Sequence, residues 1–375
     1  MQILVAGDYV PCNRMAVQIS QQKYNEIFSE DLITLIKSSD YALVNLECPI
    51  FNSQHHAIKK VGPSLGANSS ALDVLKYAGF NGVTMANNHI LDYGEEALEY
   101  TIEMCKSKGI DYFGVGKNLD ESGQVNYVSV CDKILAIINC CEHEFSIASP
   151  HSSGANPINP VRQFYAIKEA RKNSDYVIVV SHGGYELYNL PSIRMKDLYH
   201  YYIDIGADAV INHHQHCFSG YEIYNSKPIF YGLGNFAFDR GVSKDYLWND
   251  GYVVILDFLS DNTISFKTVP YRQYAEEPSI LSYKDLNYFN NAITKINSII
   301  NDNINLQHHF EVFARTTSAS YKLAVEPYDN WVLRSMFVRH WLPSFVTSQK
   351  KLRLLNYIRC ESHRERLIFS LDEKK

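Results

Sequence analysis

Across roughly the first 240 residues, short apolar runs alternate with segments whose apolar residues recur every three or four positions. Nothing else in the chain restricts its fold as much. Gln2–Ala6, Tyr41–Leu46, Gly82–Met85, Lys133–Asn139, Tyr176–Ser181 and Ala209–Asn212 are rich in Val, Ile and Leu. Runs this short predict strands covered on both faces. Between them, Ser69–Ala78, Glu95–Lys108, Pro160–Lys172 and Ser192–Ile205 carry the spacing of amphipathic helices. Gly79, Gly109 and Gly206 stand where such helices should stop, because glycine takes the left-handed backbone of a C-cap. Strands that alternate with helices predict an α/β architecture. From Gly220 to about Pro270 the pattern changes to hairpins, with strands over Tyr221–Tyr224, Pro228–Tyr231, Val253–Phe258 and Thr263–Val269. Asn225-Ser226 and Asp261-Asn262 are the expected turns. Beyond Ser282 the chain reads as helical. The expected division is residues 1–275 as the α/β domain and 276–375 as a helical extension.

Composition removes several function classes. A net charge of −6 over 375 residues gives no bulk attraction for nucleic acid. The eight cysteines form no CxxC pair and no zinc-ribbon spacing, and most sit in apolar runs, where a thiol is a small hydrophobe. No apolar stretch is long enough for a membrane span, and Met1–Asp8 has neither a basic leader nor a signal-peptide core. The expectation is a cytoplasmic protein with reduced thiols. Arg315–Lys375 holds 12 Lys/Arg against 6 Asp/Glu, interleaved with Trp331, Phe337 and Trp341. That segment is a candidate for peripheral contact with anionic lipid or an acidic polymer, although a solvated helix face is the simpler reading.

Five polar clusters follow the strand-like runs: Gly7-Asp8; Asn45-Leu46-Glu47; Ala86-Asn87-Asn88-His89 with Asp92; Ser181-His182 through Glu186; and Asn212-His213-His214-Gln215-His216. In open α/β sheets, ligands bind beyond the carboxyl ends of strands, so these exits predict one convergent site. Oxygen and imidazole donors without thiolate suit Mn, Fe or Zn. Three imidazoles within four residues directly after an apolar strand rarely serve packing. In an extended segment His214 and His216 would share one side, with His213 on the other.

These blocks, together with Gly206-Ala207-Asp208 and Tyr231-Gly232-Leu233-Gly234-Asn235-Phe236, resemble the CapA/PgsA-type poly-γ-glutamate capsule biosynthesis proteins. They occur in family order over residues 3 to about 240. The resemblance implies a branch of the calcineurin-like metallophosphoesterases, hence a four-layer α/β/β/α sandwich and one or two divalent metal ions. It implies Asp8, Glu47, Asn88, His182, His214 and His216 as metal ligands, with Glu47 bridging. His89 would be the general acid and Asp92 its partner. Glu186, His213 and Asn235 are further candidates for contact with substrate. The implied activity is metal-dependent hydrolysis in capsule or surface-polymer synthesis, on a substrate with phosphate or glutamyl groups. A polyglutamyl amide-bond enzyme or a non-catalytic assembly partner are the alternatives. The superfamily's Asp-x-His is here Asp8-Tyr9-Val10, and its Gly-His-His-Pro-His is Asn212-His213-His214-Gln215-His216. One imidazole is therefore missing from the first metal position.

Overall fold

The computed structural model describes residues 1–239, 246–259, 263–273, 278–280 and 283–371. Two compact units divide the chain, Met1–Gln307 and His308–Lys375.

In the first unit the strand-like runs become two sheets. One places the strand Gln2–Val10 between Tyr41–Leu46 and Asp250–Phe258, continues through Gly82–Thr84 to Asp111–Phe113, and extends on the other side through Ile264–Gln273 to Pro278–Ile280. The strand Asn235–Phe238 also pairs with Gln2–Val10, in parallel. The second sheet runs Tyr221–Tyr224, Lys227–Phe230, Ala209–His213, Tyr176–His182, Lys133–Cys141 and Asn126–Val130.

Both central regions are parallel. Parallel strands need helical crossovers, and those helices cover the outer faces. Leu4, Ala6, Ala42 and Val44 join Leu72, Leu75 and Leu98 in the helix-side core of the first sheet. On its opposite face the two sheets meet. Phe266 lies edge-on to Phe230 and Tyr221, and Tyr176 packs against Phe258. The observed order is therefore the α/β/β/α sandwich that the resemblance implies.

Local signals fix where the elements stop. Asn159 accepts hydrogen bonds from the Val161 and Arg162 amides and caps the helix Pro160–Asn173. Gly79 ends the helix Ser70–Ala78 at φ 102°, in the left-handed region. Asn225 and Ser226, at φ 49° and 64°, make the two-residue hairpin turn between Tyr221–Tyr224 and Lys227–Phe230. The expected turn at Asp261-Asn262 lies outside the described residues.

The C-terminal part is helical, over Tyr283–Ile300, Asn303–Leu323, Trp331–Val338, Ser348–Arg359 and Glu361–Leu371. Within the second unit, Glu326 accepts from the Phe345 amide at 2.8 Å and the Tyr328 hydroxyl donates to the Pro343 carbonyl at 2.6 Å. Among the described residues no helix is long and apolar enough to cross a membrane, and all eight cysteines are free thiols.

Candidate metal centre

Parallel pairing brings the carboxyl ends of both sheets to one edge, and the five polar clusters meet there. Gly7 makes the first approach possible. A Cβ at this position would lie 1.9 Å from the Gly234 carbonyl oxygen, the group that accepts the Asp8 amide at 3.1 Å. Asp8 is thereby held at the strand end, 1% exposed, with Asn45 Nδ2 donating to its Oδ1 at 2.8 Å.

The loop after Gly82–Thr84 is fixed from beneath. Asn139 Oδ1 accepts the Met85 and Ala86 amides, and Asn87 Nδ2 donates to the Leu46 carbonyl. The result is to present Asn88 and His89. Asn88 Nδ2 faces Glu144 at 3.3 Å, so its Oδ1 turns to His182 Nε2 at 3.0 Å. His182 Nε2 also lies 3.1 Å from His214 Nδ1 and 3.5 Å from Glu47 Oε1.

Two groups of donors converge around Glu47. One is Glu47, His182 and His214, and the other is Asp8, Glu47 and His216, each with its ligand atoms within 4.8 Å of one another. All five residues are buried. The expected extended geometry of the His213–His216 run is not what achieves this. The strand ends at His213, and His214 and His216 adopt left-handed backbone at φ 95° and 53°. Such conformations cost about 1–3 kcal/mol each in non-glycine residues and cluster at functional sites. They turn His214 toward one group and His216 toward the other. His213 does not point away from the site as expected, because its Nδ1 comes to 3.6 Å from Asp8 Oδ1.

Electrostatics sharpen the picture. Burial and the neighbouring carboxylates of Asp8, Glu186, Asp92 and Glu144 push the Glu47 carboxyl well above its ordinary range. Both of its oxygens are buried without a hydrogen-bond partner. A bare carboxylate in this position is stable only as the acid or beside a cation. Burial also opposes the charge on Asp8, but contacts led by the hydrogen-bonding one with His216 outweigh it and hold that carboxyl low. Burial pushes His182, His213 and His214 down, which keeps their rings neutral with a lone pair to donate. Carboxylate, amide and imidazole donors without thiolate fit a divalent cation of the Mn, Fe or Zn kind.

The centre opens into a cleft of about 450 Å³ lined by Asn88, His89, Glu186 and His216, among others. Glu144 forms part of its wall and is shared with an adjoining cleft of about 750 Å³. His89 Nδ1 sits 2.7 Å from Asp92 Oδ2, which leaves Nε2 available to the cleft. Asn235 and His213 lie beneath the cleft rather than in its lining. Asn235 Oδ1 is 3.0 Å from His216 Nδ1, and its Nδ2 donates to the His216 carbonyl.

Sequence reasoning misses Lys60, whose Nζ pairs with Asp92 Oδ1 at 2.6 Å and lies 3.2 Å from His89 Nδ1. It comes from an irregular loop with no periodic signal, so only the fold could place it. It also misses Glu144, although this residue follows the strand Lys133–Cys141 as the other site residues follow theirs.

Fold and site together define a two-sheet α/β protein with a candidate cradle for divalent cations at the carboxyl edge of both sheets. The chain belongs to the family described as bacterial capsule synthesis protein PGA_cap, whose model matches residues 2–240. A similar protein is the capsule biosynthesis protein CapA of Bacillus anthracis, 31% identical over 242 residues, with 60% of this chain and 59% of that relative covered. The match thus spans less than two thirds of that relative's length. The PGA biosynthesis protein CapA of Bacillus subtilis (strain 168) is 29% identical over 267 residues, covering 70% of this chain and 69% of that protein. Among solved structures, a hypothetical protein from Thermus thermophilus aligns at a TM-score of 0.45 and 13% identity, over 72% of this chain and 99% of that one.

Proposed function

We propose that this protein is a metal-dependent hydrolase of the metallophosphoesterase type acting in capsule or surface-polymer synthesis. The observation that carries the reading is Glu47, whose two unpartnered buried oxygens are shared by two converging groups, one with His182 and His214 and the other with Asp8 and His216. Glu47, Asn88, His182 and His214 would hold one ion, and Asp8, Glu47 and His216 a second. Bound there, such ions supply Lewis acidity and a hydroxide nucleophile at neutral pH. The chain's own residues do the rest. His89 hands a proton from Nε2 to the leaving oxygen, while Asp92 fixes its tautomer through Nδ1. Lys60 pairs with the other Asp92 oxygen and holds that carboxylate in its orienting place.

A polyglutamyl amide-bond enzyme is the second reading. Glu144 and Glu186 on the cleft wall suit the free amino group that a γ-glutamyl chain end carries. A panel of phosphomonoesters, phosphodiesters and γ-glutamyl peptides, assayed with added Mn(II), separates the two. Turnover of the phosphoesters supports the first reading, turnover of the peptides alone the second, and turnover of neither contradicts both.

The relatives' names place them in capsule and PGA biosynthesis, and a polymer substrate or precursor is the partner we assign here. The basic helices after Trp331 would give the protein peripheral contact with an anionic surface. Trp331 and Trp341 are 79% and 69% exposed there. Vesicle binding that falls steeply between low and high salt would bear this out, and salt-independent or absent binding would contradict it.

A further inference from the structure

The two donor groups are unequal. Glu47, His182 and His214 have the Asn88 amide oxygen beside them, 3.0 Å from His182 Nε2, whereas the second group is formed by Asp8, Glu47 and His216. The smaller group depends on Asp8, and Asp8 is thinly supported. Asn45 Nδ2 reaches Oδ1, while Oδ2 receives the His214 amide at 3.4 Å and lies 3.6 Å from His216 Nδ1. Next to it lies a side chain with no other occupation. The His213 imidazole is 1% exposed, and neither ring nitrogen has a hydrogen-bond partner. A polar group buried in that state costs about 1–3 kcal/mol, which its fold must have a reason to bear.

Local structure explains how the ring arrives there. His213 pairs in register with His182 on the neighbouring parallel strand, so both side chains leave the sheet on the same face. The His213 carbonyl accepts the Gly183 amide at 3.1 Å, which locks that register at the last residue of the strand. Nδ1 then faces Asp8 Oδ1 at 3.6 Å, and a shift of about 0.5 Å brings the pair into hydrogen-bond range. The ring is not in the set whose atoms converge with Glu47 and His216. Its place is behind the carboxylate.

We propose that His213 is a positioning residue that orients Asp8 through Nδ1 and so completes the second ion's position. The inference rests on the metal centre proposed above. Carboxylate ligands are commonly held by a hydrogen-bond donor behind them, and loss of such a partner weakens metal binding by about 10–100-fold.

The test uses the full chain, stripped of metal and titrated with Mn(II) while free ion is followed by electron paramagnetic resonance. Parent, His213→Ala, His213→Asn and His213→Gln are compared, each after thermal melting shows a cooperative fold. The parent should bind two ions. His213→Ala should keep the Asn88-containing position and weaken the other by about 10–100-fold. Asn places an amide nitrogen near the position of Nδ1, and Gln near Nε2, so Asn should restore the second ion and Gln should not. Should the alanine variant fail to fold, the Asn and Gln pair carries the comparison. Equal binding in both, two tight ions in His213→Ala, or a parent that holds one ion would overturn the assignment. A parent that holds none would instead overturn the metal centre itself.

Discussion

Glu47 behaves unlike an ordinary buried carboxylate. Nothing donates to it, and four other carboxylates raise its pKa further. Glu47→Gln should therefore abolish metal binding and yet raise the melting temperature of the metal-free protein, by an amount equivalent to about 1–3 kcal/mol. A metal-free variant less stable than the parent would show that Glu47 has a purely structural partner. His89 poses the opposite case. Its ring is held by Asp92 and Lys60 rather than by either donor group, so His89→Ala should leave metal content unchanged while turnover falls about 10²–10⁴-fold. Metal loss in that variant would contradict its assigned role. The strand exits that carry Asp8, Glu47, Asn88 and His182, and the dense histidine cluster with His214 and His216, are legible in the sequence as polar groups after apolar runs, while their assignment as ligands comes from the family resemblance. Lys60 is not, since a lone lysine in a loop carries no pattern. The orientation of His213 also escapes a sequence reading, because alternation holds only while the backbone is extended, and here the chain turns left-handed at His214.

The strands and helices that hold the site are legible to within a few residues. Tyr41–Leu46 and Tyr221–Tyr224 fall where expected, and the helix expected over Ser192–Ile205 spans Ile193–Ile205 with Ser192 as its cap. Continuous apolar runs and capping residues are local signals, and the fold keeps them. The pairing of distant segments is not legible. Asn235–Phe238 inserts beside the first strand although more than 200 residues separate them, and no periodicity announces it. That pairing is what the Gly7 and Gly234 contact serves. Gly7→Ala should force the two backbones apart, lower stability by roughly 1–3 kcal/mol and weaken metal binding with it. Thermal melting and metal titration of the same preparation check this, and a parent-like result in both would mean that the contact yields without moving Asp8.

Among the described residues, the candidate ligands all lie within Met1–Gln307, while the unit His308–Lys375 supplies basic helices. Family membership rests on residues 2–240. The claim beneath all others is that the carboxyl edge of its two sheets binds metal. Elemental analysis of the full chain, purified without chelator, tests it directly beside a His214→Ala/His216→Ala double variant. One to two equivalents of Mn, Fe or Zn in the parent, lost in the double variant, is the predicted result. A parent that holds no metal even after incubation with Mn(II), or a double variant that keeps its full complement, would contradict the account.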